Sequence, residues 1–311
     1  MKHKIVYPLT LLLALLVYLP AAVHAQTISK EELIFLTAAW KGERFPDGRP
    51  KIPDSLVEKA RHIGIEEAWT ILDNDGYHCQ FEGGWKILHP DTPVVGRAVT
   101  ARFMPSRPDV EKNILDRGHS KGFKGNTNSW PIQQLTKGDV YVADGFGKIA
   151  EGTLIGDNLG NAIFARSGNG VVFDAAARDI EGLADIPGFN AFVRDWDPSY
   201  LKNEVLMGLN TPIRIGKAIV LPGDLVLAQR EGILFIPAHM AEKVINTAIF
   251  IGMKDEFGHA MLKSGKYTPG EIDNQWTDKI KEEFLLWLQQ HPGPIQLNRT
   301  TLDQYLQGRT W

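Results

Sequence analysis

The sequence has one cysteine, Cys79, among 311 residues, so no disulfide can form within the chain and no thiolate cluster can hold a metal. In an oxidising compartment such a lone thiol must stay buried or pair between chains, and burial beside His78 and Phe81 is the expectation. Positive charge is also short: 34 Lys and Arg stand against 37 Asp and Glu, a formal net charge of −3. Binding to a phosphate backbone needs clustered positive charge, so the balance argues against nucleic acid as the main partner. The nine histidines include no His-x-x-x-His pair enclosing a glutamate, which removes the zinc-protease signature. There is no Gly-x-Ser-x-Gly elbow, no P-loop, no internal repeat and no low-complexity tract.

One apolar run, residues 5–19, follows the basic Lys2, His3 and Lys4. It falls short of the ~20 apolar residues that span a bilayer, and Val23 and Ala25 supply small residues for a leader peptidase. The reading is a signal peptide over 1–25, cleaved after Ala25, with an uncleaved N-terminal anchor as the alternative. It implies a periplasmic or secreted protein with no membrane span after cleavage. No cysteine follows the run to carry a lipid. The 286 residues left hold 32 basic and 37 acidic side chains, still mildly acidic.

Residues 26–64 read as an N-terminal helical extension. Ser29 and Glu32 form a capping box for a helix through Trp40. Residues 41–53, with three prolines and two glycines, form a wrapping arm. A second helix over 55–63 places Leu56, Val57, Ala60 and Ile63 on one face. Residues 65–240 read as the core, with strands at 94–103, 139–143, 171–173, 218–220, 225–228 and 233–236, and a helix over 157–167. Residues 105–130 read as a long irregular insertion carrying His119. Residues 241–311 are a C-terminal helical region, in which Ile280, Phe284, Trp287 and Leu288 make an apolar stripe. Strands and helices intermix, which gives an α/β or α+β class.

The stretch that carries chemistry is Gly156-Asp157-Asn158-Leu159 followed, across a helix, a turn and a strand, by Arg178-Asp179. That path returns the chain to its start, so Asp157 and the Arg178-Asp179 pair can lie side by side. The amides of Asn158 and Leu159 stand at a helix N-terminus, where backbone N–H groups are unpaired and favour anions. Arg178 can grip a carboxylate and a keto oxygen together, as lysine cannot. Asp179 offers a hard oxygen to Mg²⁺ or Mn²⁺, with Asp157 reaching the same ion through water. The same residues also fit a bland reading, Asp157 and Asp179 as helix caps and Arg178-Asp179 as a surface ion pair.

Gly96-Arg97-Ala98-Val99-Thr100, Gly138-Asp139-Val140 with Asp144-Gly145, Gly156-Asp157 with Arg178-Asp179, Pro222-Gly223-Asp224, and Glu231-Gly232-Ile233 ending at Ile236-Pro237 form a series of segments. Together they resemble the RraA-like family in its metal-dependent aldolase branch. They run in the family's order over about 65–265. The resemblance implies an α/β fold, a swivelling-type β/β/α sandwich, assembled as a homotrimer or a hexamer. It implies a class II lyase that uses Mg²⁺ or Mn²⁺ to cleave a 4-hydroxy-2-oxo acid through pyruvate enolate, or to decarboxylate oxaloacetate. Asp157 and Arg178 would be catalytic, Arg178, Asn158 and Leu159 would bind substrate, and Asp179 and Asp157 would hold the metal. Asp255 or Glu256 would complete the metal shell from a neighbouring subunit. Two other readings remain. A Schiff-base mechanism would need Lys148, and a non-catalytic periplasmic binding or regulatory protein would need none of these residues.

Overall fold

Ser29 accepts a hydrogen bond from the Glu32 amide and opens α1 (Lys30–Leu36), which ends before the expected Trp40. The computed structural model describes residues 27–295 and 297–308, so the leader read at 1–25 lies outside the described residues. The arm leads to α2 (Asp54–Ala60) and to α3 (Ile65–Asn74), a helix the sequence reading did not separate. Ile65, Ala68, Ile71 and Leu72 bury one face of α3. Short strands β1 (Phe81–Glu82) and β2 (Lys86–Ile87) follow, then the long β3 (Val94–Pro105). Cys79 is exposed, not buried as expected. Its neighbour Gln80 takes the inward position and donates to the carbonyls of Ile219 and Phe235, which turns the thiol outward.

The segment 105–130 is not irregular: α4 (Pro108–Ser120) occupies half of it. Pro108 starts that helix, Asp109 and Glu111 lie in its first turn, and Arg117 and His119 in its last. Gly118 lets it close on Trp130, where a Cβ would stand 2.0 Å from the ring. His119 packs edge-on against the same indole at 5.9 Å, so its role is packing. Next come β4 (Asp139–Ile155), α5 (Asp157–Ser167), β5 (Val171–Ala177), α6 (Ile180–Ala184) and β6 (Ala191–Trp196). The chain continues through β7 (Glu204–Leu209), β8 (Ile213–Ile215), β9 (Ala218–Val220), β10 (Leu225–Gln229) and β11 (Gly232–Ile236). Helices α7 (Ala241–Lys263), α8 (Pro269–Ile272), α9 (Asp278–Gln290) and α10 (Arg299–Gln307) close it. No helix among the described residues is long and apolar enough to cross a membrane.

The strands form a nine-stranded mixed sheet in the order β1-β11-β10-β3-β4-β5-β6-β2, with β7 also on β3. Strands β3 to β6 are parallel, joined through helices, while β10 and β7 run antiparallel along successive stretches of one edge of β3. One apolar core lies between β10–β11 and helices α2, α3 and α7 to α10. A second lies under α4, α5 and α6. On the opposite sheet face, Ile213, Ile215, Ala218 and Val220 of the β8–β9 ribbon cover Ala98, Val140 and Val172. This is the α/β class expected, with helices on one face of a large sheet and a ribbon on the other.

A charged seam fixes the N-terminal arm to this body. Asp139 is fully buried; its carboxylate lies 3.5 Å from Arg49 and 3.7 Å from Arg97, each 2% exposed. Phe45 of the arm lies against both guanidinium groups, at 4.6 and 5.6 Å.

Candidate active site

Three parallel strands end level with one another. Ile155 of β4, Ala177 of β5 and Trp196 of β6 are in register. The residues that follow them therefore meet: Gly156 and Asp157, Arg178 and Asp179, and Asp197. The carboxyl ends of parallel strands are where open α/β sheets bind ligands. The amide of Arg178 donates to Ile155 O and that of Asp197 to Ala177 O, each at 3.1 Å, so the last rungs of the sheet hold both residues.

Asp179 takes the left-handed conformation, φ 58° and ψ 49°, which costs most side chains free energy and aspartate less. The chain turns there from strand into α6. Arg178 Nε lies 3.3 Å from the Asp179 carboxylate, the two side chains 40% and 42% exposed. The ion pair of the bland reading is thus present, but it sits in a concavity.

Gly156 makes the close approach possible. A Cβ there would stand 2.2 Å from Asp179 Oδ2 and 3.0 Å from Arg178 Nε. Its φ of −123° suits any residue, so space alone decides. Facing it, a Cβ on Gly182 would stand 2.8 Å from the Asp157 Cβ. Gly156→Ala is expected to push the Asp179 carboxylate aside with the sheet intact. A crystal structure of the variant should then show the Asp179 carboxylate moved out of its 3.3 Å ion pair with Arg178 Nε.

Asp157, Arg178 and Asp179 border two adjoining clefts. The larger, of about 590 Å³, runs over Gly182, Trp196 and Asp197. The smaller, of about 180 Å³, runs past Asn128, Asn158, Leu159 and Tyr200. Asn158 does not offer its amide as the sequence reading had it. Asp157 at the first helical position reaches round, and its Oδ1 accepts that N–H at 2.7 Å. Leu159 borders the smaller cleft in the first turn of α5, where the helix supplies its amide with no acceptor. Asn128 Nδ2 donates to Leu154 O at 2.7 Å and ties the segment after α4 to the site.

Trp196, Asp197 and Tyr200 escaped the sequence reading. The signal available was Trp-Asp-Pro closing an apolar strand pattern at 191–196. Ser199 donates its amide to Asp197 at 2.9 Å and its hydroxyl as well, holding that carboxyl below the usual range.

Asp255 and Glu256 lie in the C-terminal half of α7, which packs with α2, α3 and α9, and neither borders the clefts within one chain. Burial raises the Asp255 carboxyl above its ordinary value. Asp157 and Asp179 supply hard oxygen donors that fit Mg²⁺ or Mn²⁺, and Gly156 and Gly182 leave them room. Among the described residues no group of three His, Cys, Asp or Glu could hold a metal ion, so the two carboxylates do not make a complete site within one chain.

Lys148 does not border the clefts either. Its Nζ lies 3.2 Å from Glu204 and donates to Lys202 O at 2.6 Å, so it is engaged elsewhere. The segment 201–211 holds β7, and this buries the Glu204 carboxylate. Burial outweighs Lys148 and pushes the Glu204 carboxyl up to about 7. A folded value raised above the ordinary 4.5 means stability that is full below pH 4.5 and lost as the pH rises towards 7. Asp224, also buried, is pushed up to about 7 and acts in the same direction. Glu204→Gln is therefore expected to flatten part of the fall in melting temperature across that window, as read by calorimetry at stepped pH.

The family model described as Aldolase/RraA matches residues 64–235, more than half of the chain and all of the cleft just described. The chain belongs to the RraA-like family. Among curated relatives, this RraA-like chain is similar to Protein DlpA of Legionella pneumophila, 26% identical over 215 residues, covering 68% of this chain and 32% of DlpA. It is also similar to the 4-hydroxy-4-methyl-2-oxoglutarate aldolase of Thermus thermophilus, 32% identical over 107 residues, 34% of this chain and 63% of the aldolase. The chain thus spans less than two thirds of either relative. Among solved structures it resembles RraAS2 of Streptomyces coelicolor, described as an unusual member of the RNase ES inhibitor RraA protein family. The TM-score is 0.57 at 24% identity, over 68% of this chain and 98% of that one. An uncharacterized protein from Pseudomonas syringae gives 0.58 at 22%, over 72% and 99%. Likeness at this identity shows the RraA-like fold.

Proposed function

We propose that this RraA-like protein is a divalent-metal-dependent lyase that cleaves a 4-hydroxy-2-oxo acid by retro-aldol reaction, with oxaloacetate decarboxylation as a related activity. The observation that carries the reading is the convergence of Asp157, Arg178 and Asp179 on one cleft, at the ends of β4 and β5. Relatives named as aldolases support the reaction class.

Asp179 would hold Mg²⁺ or Mn²⁺, with Asp157 reaching it through water and Asp255 or Glu256 of a neighbouring copy completing the shell in a homotrimer or hexamer. Bound there, the cation would polarise the 2-oxo group as a Lewis acid. Arg178 grips the C1 carboxylate and the adjacent keto oxygen in a fork through its terminal nitrogens, while its Nε keeps the ion pair with Asp179 at 3.3 Å. The Leu159 amide adds a donor from the helix N-terminus. When the 4-hydroxyl gives its proton to water in the open cleft, the C3–C4 bond breaks, its electron pair stays on C3 as pyruvate enolate, C4 leaves as a carbonyl, and C3 then takes a proton from water to give pyruvate. Loss of CO₂ from oxaloacetate reaches the same enolate. Export to the periplasm, with cleavage after Ala25, is part of the same reading.

The test is pyruvate release from oxaloacetate and a panel of 4-hydroxy-2-oxo acids, with and without EDTA. Release that EDTA abolishes and Mn²⁺ restores is the expected result. No release by folded, metal-replete protein from any acid would overturn the reading in favour of a non-catalytic role.

A further inference from the structure

The clefts around Arg178 carry an uneven charge. Among the described residues that border them, Arg178 is the one basic side chain, against the carboxylates of Asp157, Asp179, Glu181 and Asp197. The lysines nearest in sequence to Tyr200 and Glu151 are occupied: Lys202 Nζ lies 2.7 Å from Glu151, and Lys148 Nζ lies 3.2 Å from Glu204. A divalent cation on Asp157 and Asp179 would balance those two charges, and Arg178 would take the substrate's own C1 carboxylate. Glu181 and Asp197 then stay uncompensated, with Ser199 keeping Asp197 ionised. An acidic side chain supplied by a neighbouring copy would deepen the imbalance.

A second carboxylate on the substrate would lose hydration on entering, and the ammonium nearest the walls, Lys202 over the Tyr200 ring at 4.8 Å, is already paired with Glu151 at 2.7 Å. The remaining walls offer other contacts. Trp196 borders the larger cleft and Tyr200, 60% exposed, borders the smaller, so both supply ring surface. Glu181 and Asp197 supply oxygen acceptors. Ring surface takes C–H groups and carboxylates take hydroxyl donors, which together match a hydroxylated, uncharged chain.

We infer that the distal part of the substrate is uncharged and hydroxyl-bearing, as in a sugar-derived 4-hydroxy-2-oxo monocarboxylic acid, and that Glu181 and Asp197 select against a second carboxylate. The inference rests on the lyase reading for its reaction, while the charge preference belongs to the cleft itself.

Two measurements on the full chain with Mn²⁺ separate these. The first compares pyruvate release from 2-oxo-3-deoxygluconate with release from 4-hydroxy-4-methyl-2-oxoglutarate. The second compares binding of two acids that lack a 4-hydroxyl and cannot be cleaved, 5-hydroxy-2-oxopentanoate and 2-oxoglutarate, by calorimetry. The uncharged tail should win by about tenfold in kcat/KM and in Kd, the scale of two half-exposed charges. High salt, or the double variant Glu181→Gln with Asp197→Asn, should shrink that ratio by roughly fivefold. Preference for the dicarboxylates, or a ratio that the double variant leaves unmoved, overturns the inference and leaves the lyase reading standing wherever pyruvate is released. Tighter binding of the uncharged-tail acid with no pyruvate from either substrate overturns the lyase reading and upholds the charge preference. Failure of both acids to bind, with no pyruvate from either substrate, overturns both.

Discussion

Replacing Arg178 by alanine is expected to lower kcat/KM for pyruvate release by about 10²- to 10³-fold, the scale of a charge-assisted fork of two hydrogen bonds lost. The side chain is 40% exposed, and its fixed position comes from its amide, which stays bonded to Ile155 O at 3.1 Å whatever the side chain. Stability should therefore change by no more than ~0.5 kcal/mol, as surface substitutions do. Loss of activity with an unchanged melting curve is the signature to seek. Arg178→Lys should recover only part of the rate, because an ammonium gives point charge without the planar fork. If Arg178→Ala keeps wild-type kcat/KM, the cleft is not where the carboxylate binds.

The second large effect concerns the seam under the N-terminal arm. Asp139→Ala would leave Arg49 and Arg97, each 2% exposed, without the buried carboxylate between them, and would strip the Thr136 amide and hydroxyl of an acceptor at 2.9 Å each. Removing one partner from a buried charge group costs about 3–5 kcal/mol. Against a total stability of roughly 5–15 kcal/mol that loss is severe, and the urea midpoint should drop accordingly. Asp54→Ala is the control: Asp54 lies 2.7 Å from Arg97 but is 87% exposed, so water screens the pair. Its loss should cost under ~1 kcal/mol. Equal effects from the two substitutions would show that the seam does not anchor the arm.

Both predictions trace to features of different legibility. The Asp157 and Arg178-Asp179 set could be read because helix, turn and strand of ordinary length must return the chain to its start. The strands at 218–220 and 233–236 and the helix at 157–167 were legible from apolar pattern and from the glycines that stop them. Helix α4 was not, because Pro108, Gly118 and the loop residues after it match turn composition, while the contact that rewards the helix, Gly118 against Trp130, spans a fold of the chain. Strand β7 was hidden for a similar reason, since it exists by pairing with β3, a hundred residues earlier in sequence. The partner of the Asn158 amide is not legible in sequence, because a helix N-terminus offers its free amides to whichever acceptor is nearest, here the adjacent Asp157.

The sequence by itself determined the α/β class, the family, and the acid, arginine, acid set. These rest on local pattern and on segments in a fixed order. Only the tertiary structure decided which side chains share the cleft with that set. Trp196 and Asp197 enter it because β6 lies beside β5 in register, and Lys148 leaves it because Glu204 on β7 claims its ammonium group. Register across parallel strands and the burial of a charge depend on contacts between segments distant in the chain. No local pattern encodes them.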